Sequence, residues 1–277
     1  MKRKELHNLF LLTLIAAFFI SMWLGRLNQI KKFSRLDDTT ITSEAFRKHK
    51  LDEQIIQHLQ YSEQKGKDVA IYLLKTNFGT ERTRKIVDFH ENIWRNNSSW
   101  KQYFKANCAI WDDLKCFPVV LSKTKITEDI SYENSWMAER TYGGKRSHEG
   151  VDIMAKKNEP GAYPIVSMTD GVVTQKGWLE KGGYRIGITS PSGGYFYYAH
   201  LDTYGNFEKG DEVKAGDILG FMGDSGYGPE GTTGKFPVHL HLGIYIYPNG
   251  NEISINPYWI LRYLESHTLF LSQNVIY

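Results

Sequence analysis

Three short clusters hold residue types that can carry out hydrolysis. They are His148-Glu149-Gly150-Val151-Asp152, then His200 within Tyr198-Ala199-His200-Leu201, and then His239-Leu240-His241. Four of the nine histidines therefore fall between positions 148 and 241. The last cluster says most. On a strand, residues i and i+2 share a face, so His239 and His241 present two imidazoles side by side. Imidazole is a common zinc ligand, and a catalytic zinc takes three protein ligands plus an open position. The pair can supply two ligands, or one ligand and one acid/base. Taken alone, it is equally compatible with two packing histidines and no metal.

The first cluster nearly spells the helical His-Glu-x-x-His motif, with Asp152 in place of the second histidine. On a helix, Glu149 would be the general base. The local sequence argues against a helix. Gly150 sits inside the cluster, Gly143-Gly144 precede it, and β-branched Val151 and Ile153 follow. That pattern is a turn leading into a strand.

In order, His-x-Gly-x-Asp, Tyr-Ala-His-Leu and His-Leu-His resemble the lysostaphin-type (LytM-like) zinc endopeptidases of peptidoglycan. The resemblance covers about residues 140–260. It takes in Arg146, Asp170-Gly171, the run Val213-Lys214-Ala215-Gly216-Asp217-Ile218-Leu219-Gly220, and Gly223-Asp224-Ser225-Gly226. It implies one zinc per chain, held by His148, Asp152 and His241, with His200 and His239 assisting catalysis as non-ligands. It further implies a zinc metalloendopeptidase acting on stem peptides or cross-bridges of the bacterial wall. A different class stays open: a catalytically silent LytM-like scaffold that binds division or sporulation partners. Such scaffolds are expected to lose ligands, and here all five positions are intact. The stretch Tyr227–Val238 is longer than the usual short turn of the family, so substrate preference does not transfer.

The elements that must position these residues follow from patterning. After Cys116, short alternating runs such as Tyr184–Ile188, Tyr195–Tyr198 and His239–Ile244 are bounded by Gly, Pro and Asn turns, the signature of an antiparallel β domain. Between Ser43 and about Ala106 the pattern is helical. Leu51, Ile55, Ile56 and Leu59 make one apolar stripe, Val69, Leu73, Ile86, Phe89 and Ile93 continue it, and Gly66 and Gly79 punctuate it. His49, His58 and His90 lack close partners in sequence and read as packing or solvated residues. The expected fold class is α+β: an N-terminal membrane helix, a small helical region, and an antiparallel β-sheet catalytic domain of the LytM/lysostaphin type. The expected divisions are 1–26 for the cytoplasmic tip and anchor, 27–42 for a linker, 43–110 for the helical accessory region, 111–265 for the peptidase domain and 266–277 for a tail. Nothing in the helical region identifies its protein partners.

Leu9 to Gly25 is a charge-free apolar run of 17 residues, roughly 25 Å of helix and the low end for crossing a bilayer. A cleaved signal needs small residues before the cut, and Trp23 is a poor match, so the run reads as an uncleaved single-pass anchor with the catalytic domain outside the cell membrane. Residues 1–35 carry seven Lys/Arg against Glu5, and since the whole chain is +3, the remainder is net negative. The basic excess therefore belongs to the anchor, and no nucleic-acid footprint is expected on the folded part. Cys108 and Cys116 are compatible with a short disulfide loop or with two buried thiols.

Overall fold

The computed structural model describes residues 3–83, 96–122, 126–141 and 145–271. The apolar positions Ile86, Phe89 and Ile93, together with His90, lie outside the described residues, as do Gly143, Gly144 and residues 272–277. Helix α1 (Arg3–Phe33) contains the apolar run, which is exposed along its whole length. The helix continues past Gly25 through the basic segment, so the expected linker begins only after Phe33. The cause is tertiary: Phe33 is buried and packs edge-on against Trp100 at 5.2 Å.

Among the described residues, the accessory region holds α2 (Glu44–Lys48), α3 (Glu53–Leu59), α4 (Lys65–Lys75) and α5 (Ser98–Trp111). Three begin at a side-chain cap, where Ser43, Asp52 and Asn97 accept from the backbone N–H of Phe46, Ile55 and Trp100. Helix α5 buries Trp100, Tyr103, Ala106, Asn107, Ile110 and Trp111, a spacing that lines one face. Gly66 does not break α4 but lies in its first turn. A Cβ there would come within 2.6 Å of the Cys108 Cα, so glycine lets α4 and α5 approach closely. Two histidines expected to lack partners have them. His58 Nε2 lies 2.8 Å from Asp68 Oδ2, and buried His49 accepts a 2.8 Å hydrogen bond from Trp111 Nε1. Both thiols are free. Burial pushes Cys108 up to about 12 and Cys116 up to about 11.

After a short helix α6 (Ile126–Asp129) the chain is almost all strand: β1 (Ile130–Tyr132), β2 (Glu139–Arg140), β3 (Arg146–Ser147), β4 (Val151–Ala155), β5 (Pro164–Val166), β6 (Gly171–Leu179), β7 (Gly183–Thr189), β8 (Tyr195–Tyr204), β9 (Glu212–Val213), β10 (Ile218–Met222), β11 (His239–Ile246) and β12 (Ile253–Ile255), followed by helix α7 (Tyr258–Leu264). The main sheet is antiparallel in the order β1-β4-β11-β8-β7-β6-β9, with β12 paired to β11, and β10 to β5 and β8. Period-two alternation divides it into two faces. Ile186, Ile188, Phe196, Tyr198, Leu240, Leu242 and Ile244 are fully buried and join the helices in one continuous core. Burying this many large side chains, each worth about 1.5–3 kcal/mol, is what holds helices and sheet together. The described part of the expected tail pairs with the start of the β domain: Phe117 N–H donates to His267 O and Leu121 N–H to Leu269 O.

Candidate metal centre and active site

The opposite face of the sheet carries the histidines. On β11, His239 and His241 alternate with Leu240, so both leave the core face. Across the strands, His241 stands directly opposite Asp152 on β4 and Ala199 on β8. His148 comes from the turn before β4. Gly150 in that turn is required by contact, because a Cβ would fall 2.6 Å from His241 Cε1 and 2.5 Å from the Leu242 carbonyl oxygen.

Register and turn bring three ligand atoms to one point. His148 Nε2 lies 2.9 Å from Asp152 Oδ1 and 2.9 Å from His241 Nδ1, and His241 Nδ1 lies 3.0 Å from Asp152 Oδ1. Four ligands about 2.0–2.1 Å from a tetrahedral zinc would lie about 3.3 Å apart, close to this spacing. The protonation pattern agrees. His148 Nδ1 donates to the Ser135 carbonyl oxygen at 3.0 Å, which leaves Nε2 as a bare lone pair facing a carboxylate oxygen. Two acceptors in contact repel unless a cation lies between them. The residues therefore fit a divalent metal. Burial raises the carboxyl pKa of Asp152, but the neighbouring His148 and His241 outweigh that and hold it well below the usual range, so it stands as a carboxylate. Burial pushes His241 down, which favours the neutral ring that a metal needs.

Arg140 on β2 completes the carboxylate's surroundings. Its Nη2 donates to Asp152 Oδ2 at 2.5 Å, leaving Oδ1 for the metal. The same nitrogen is 3.2 Å from His148 Nδ1, but a guanidinium only donates and that Nδ1–H is already given to Ser135, so this is proximity alone.

His200 and His239 form a second group beside the first, with ring centroids 4.7 Å apart. Plain alternation would send His200 to the core face with Phe196 and Tyr198. Instead, between the pairs Tyr184–Leu201 and Ile186–Tyr198, β7 contributes one residue and β8 two, a bulge. His200 adopts φ +61° there, which turns its ring onto the site face. Each ring is fixed through Nδ1, which donates to the carbonyl of Ser225 in one case and of Pro237 in the other, both at 2.7 Å. Each Nε2 is left as an available acceptor. That of His239 is 3.9 Å from Asp152 Oδ1. Burial pushes His239 down and His200 well below the ordinary histidine value, which favours the neutral ring in both.

The long stretch before His239 supplies an aromatic wall. Phe236 packs edge-on against His200 at 4.7 Å and His239 at 5.0 Å, and Tyr227 stacks on His200. Ser225 binds both strands at the bulge, with its Oγ donating to the Leu201 carbonyl and accepting from Tyr184 N–H. A cleft of about 770 Å³ opens over this face, with His148, His200 and His241 on its floor and Tyr195, Tyr197 and Tyr245 along one side.

All five residues expected from sequence thus meet at one place. Glu149 does not join them: its carboxylate lies 3.3 Å from Arg47 Nη2 and 3.3 Å from Ser254 Oγ. Sequence reasoning missed Arg140, Phe236 and the carbonyls of Ser135, Ser225 and Pro237. Only the Gly223–Gly226 run carried a readable signal for one of them.

Residues 146–257 match peptidase family M23 and residues 31–113 match the LytM N-terminal domain. The L-Ala–D-Glu endopeptidase of Bacillus subtilis is 43% identical over 171 residues, covering 61% of this chain and 50% of that protein. Lysostaphin of Staphylococcus simulans is 30% identical over 117 residues, 42% of this chain and 21% of its own length. The chain therefore spans half or less of these relatives. A crystal structure from Ruminococcus gnavus, described as a candidate glycyl-glycine endopeptidase lytM, is 53% identical, with a TM-score of 0.79 over 87% of this chain and 98% of that one. With both its helical and its sheet region matched in this way, the chain belongs to peptidase family M23, in the form that carries a LytM N-terminal domain.

Proposed function

We propose that this chain is a zinc-dependent endopeptidase that hydrolyses peptide bonds in the stem peptides or cross-bridges of peptidoglycan. The observation that carries the reading is the convergence of His148 Nε2, Asp152 Oδ1 and His241 Nδ1 beside two histidines with available Nε2 atoms. His148, Asp152 and His241 hold the metal. When bound, zinc would supply Lewis-acid activation of water and of the scissile carbonyl. His200 and His239 do the proton work: a neutral Nε2 accepts the proton of the attacking water, and the same ring returns it to the leaving amine. The ring that is protonated also donates to the developing oxyanion. The Nδ1–H bonds to backbone carbonyls keep both rings in the tautomer this requires. Phe236 and Tyr227 screen the pair from bulk water.

The reading includes a location. Leu9–Gly25 crosses the cell membrane with the N-terminus inside, and the body works outside the cytoplasm. Its support is an exposed apolar helix beside basic flanks and a family match to wall-acting enzymes. An intact donor set counts against a silent scaffold.

Two measurements test this. The full chain in detergent should hold one zinc per chain by elemental analysis and release peptides from purified sacculi. External protease should digest the domain in intact spheroplasts. Zinc-loaded protein with no activity on any wall peptide would defeat the enzymatic reading, and a domain protected in spheroplasts would reverse the orientation.

A further inference from the structure

The cleft beyond the histidines is charged in an uneven way. One side holds Glu149 and Glu252, and both carboxylates are engaged. Glu149 faces Arg47, and Glu252 accepts a 2.7 Å hydrogen bond from the Tyr247 hydroxyl. The other side holds Arg185 on β7 and Lys181 in the turn that precedes it. Among the described residues, Arg185 has no carboxylate partner. Its terminal nitrogens reach only the Gln175 amide oxygen, at 3.4 and 3.5 Å, and its Nε is buried without a hydrogen-bond partner. A guanidinium presents five donors in a rigid fork that matches a carboxylate. Two long contacts to a neutral amide leave most of that capacity unused.

The sheet register places this group relative to the chemistry. Asp152 pairs with His241 and His241 with Ala199. Arg185 stands across from Ala199 and His200, at the bulge that turns His200 onto the site face. Arg185 alternates with the core residue Ile186, so it lies on the cleft face in line with the metal ligands. Two strand steps of about 4.8 Å separate Arg185 from His241, roughly 10 Å, which is the span of about three extended residues.

We infer that Arg185 is a carboxylate-binding residue of the substrate cleft, so that the preferred substrate is an acidic peptide with a free carboxylate within about three residues of the scissile bond. Neutral peptides such as polyglycine offer this fork backbone carbonyls but no side-chain carboxylate. The inference rests on the endopeptidase reading for the position of the scissile bond, but recognition of the carboxylate is separable from turnover.

The test is therefore a binding measurement. Acetyl-L-alanyl-D-glutamyl-L-lysine with its lysine carboxyl blocked as the amide, so that the glutamyl carboxylate is the one free acid, and the same peptide with that carboxylate also converted to a carboxamide are titrated calorimetrically into the full chain. Hydrogen bonds to charged groups contribute enough to make the acid bind about tenfold to a hundredfold tighter than the amide. Arg185→Gln should abolish that preference by weakening the acid alone. Arg185→Lys, which keeps charge but loses the fork, should retain part of it. Equal binding of acid and amide by the parent chain overturns the inference whatever the variants do, and so does a preference that survives in Arg185→Gln. Sacculi left undigested, with the acid preference intact, would count against the endopeptidase reading and leave the binding site standing.

Discussion

Buried histidines occur in both halves of the molecule, with opposite consequences. In the helical region, His49 stacks on Trp111, accepts from its indole N–H through Nε2, and has Nδ1 3.2 Å from the Phe46 carbonyl oxygen. Both ring nitrogens have partners, so the ring has nothing left to offer a ligand. On the sheet, His200 and His239 are also buried and also pushed toward the neutral form, but each has only Nδ1 tied to the backbone. Burial alone pushes His49 down to about 4, so a depressed pKa does not single out a site. What distinguishes the two regions is the remaining lone pair and the carboxylate and imidazoles gathered around it.

That contrast can be broken most severely at the donor set. Asp152→Ala or His241→Ala should remove most of the bound zinc and reduce wall-peptide turnover to background, read by elemental analysis and a sacculus digest. A His241→Ala protein with full zinc would refute the ligand assignment. Next comes a group that acts without binding metal. His239→Ala should keep its zinc and lose about 10²–10⁴-fold in kcat, the range for removing an acid/base.

The other side of the comparison is sharpened by pH. His49 must stay neutral to accept from Trp111. Its folded-state pKa of about 4 lies below the ordinary histidine value of about 6.5, so the unfolded chain binds the extra proton first. Its contribution is fully present above pH 6.5 and is lost as pH falls toward 4, about 3 kcal/mol over that window. Urea titrations of the parent chain at pH 7 and pH 4.5, set against His49→Gln, should show this component only in the parent. A parent chain with no extra acid sensitivity would mean that the ring is not held neutral.

A smaller effect is expected at Arg140. Groups that orient a metal ligand typically alter affinity by about 10–100-fold. Arg140→Ala should weaken zinc binding within that range, measured by competition with a chelator, while the melting temperature of the metal-free chain moves little.

The ligand residues were legible in sequence because strand alternation is a local rule. His239 and His241 share a face for that reason, and Gly150 marked a turn. The alternating runs Tyr184–Ile188 and Tyr195–Tyr198 and the helical stripe through Leu59 were legible on the same grounds. What stayed hidden was non-local or lay in the backbone. Alternation misplaces His200, because the bulge that re-aims it is set by register with β7. The carbonyls of Ser135 and Pro237 have no side-chain signature. The Asp68 partner of His58 sits ten positions away on another helix. The continuation of α1 to Phe33 depends on docking against Trp100, sixty-seven residues later, which no window of sequence contains.

The smallest effect is expected at Glu149, where the two regions meet. It follows the ligand His148 directly, and a helical zinc motif would make it the general base. Its side chain turns instead toward α2, where Arg47 Nη2 lies 3.3 Å away and also donates to Ser254 Oγ at 2.7 Å. The carboxylate is half-exposed, with 46% of its side chain accessible, so the ion pair is screened by water and contributes about 0–1 kcal/mol. Glu149→Gln keeps an oxygen acceptor for Arg47 and Ser254 and removes only the charge. Its kcat on wall peptide should stay within about tenfold of the parent, with zinc unchanged, because the side chain makes no contact with the reacting atoms in this geometry. A small loss of stability should appear at low salt and fade at high salt as the pair is screened. An inactive Glu149→Gln protein with full zinc, beside an active His239→Ala protein, would transfer the proton-handling role from the sheet histidines to the turn and undo the comparison on which the assignment stands.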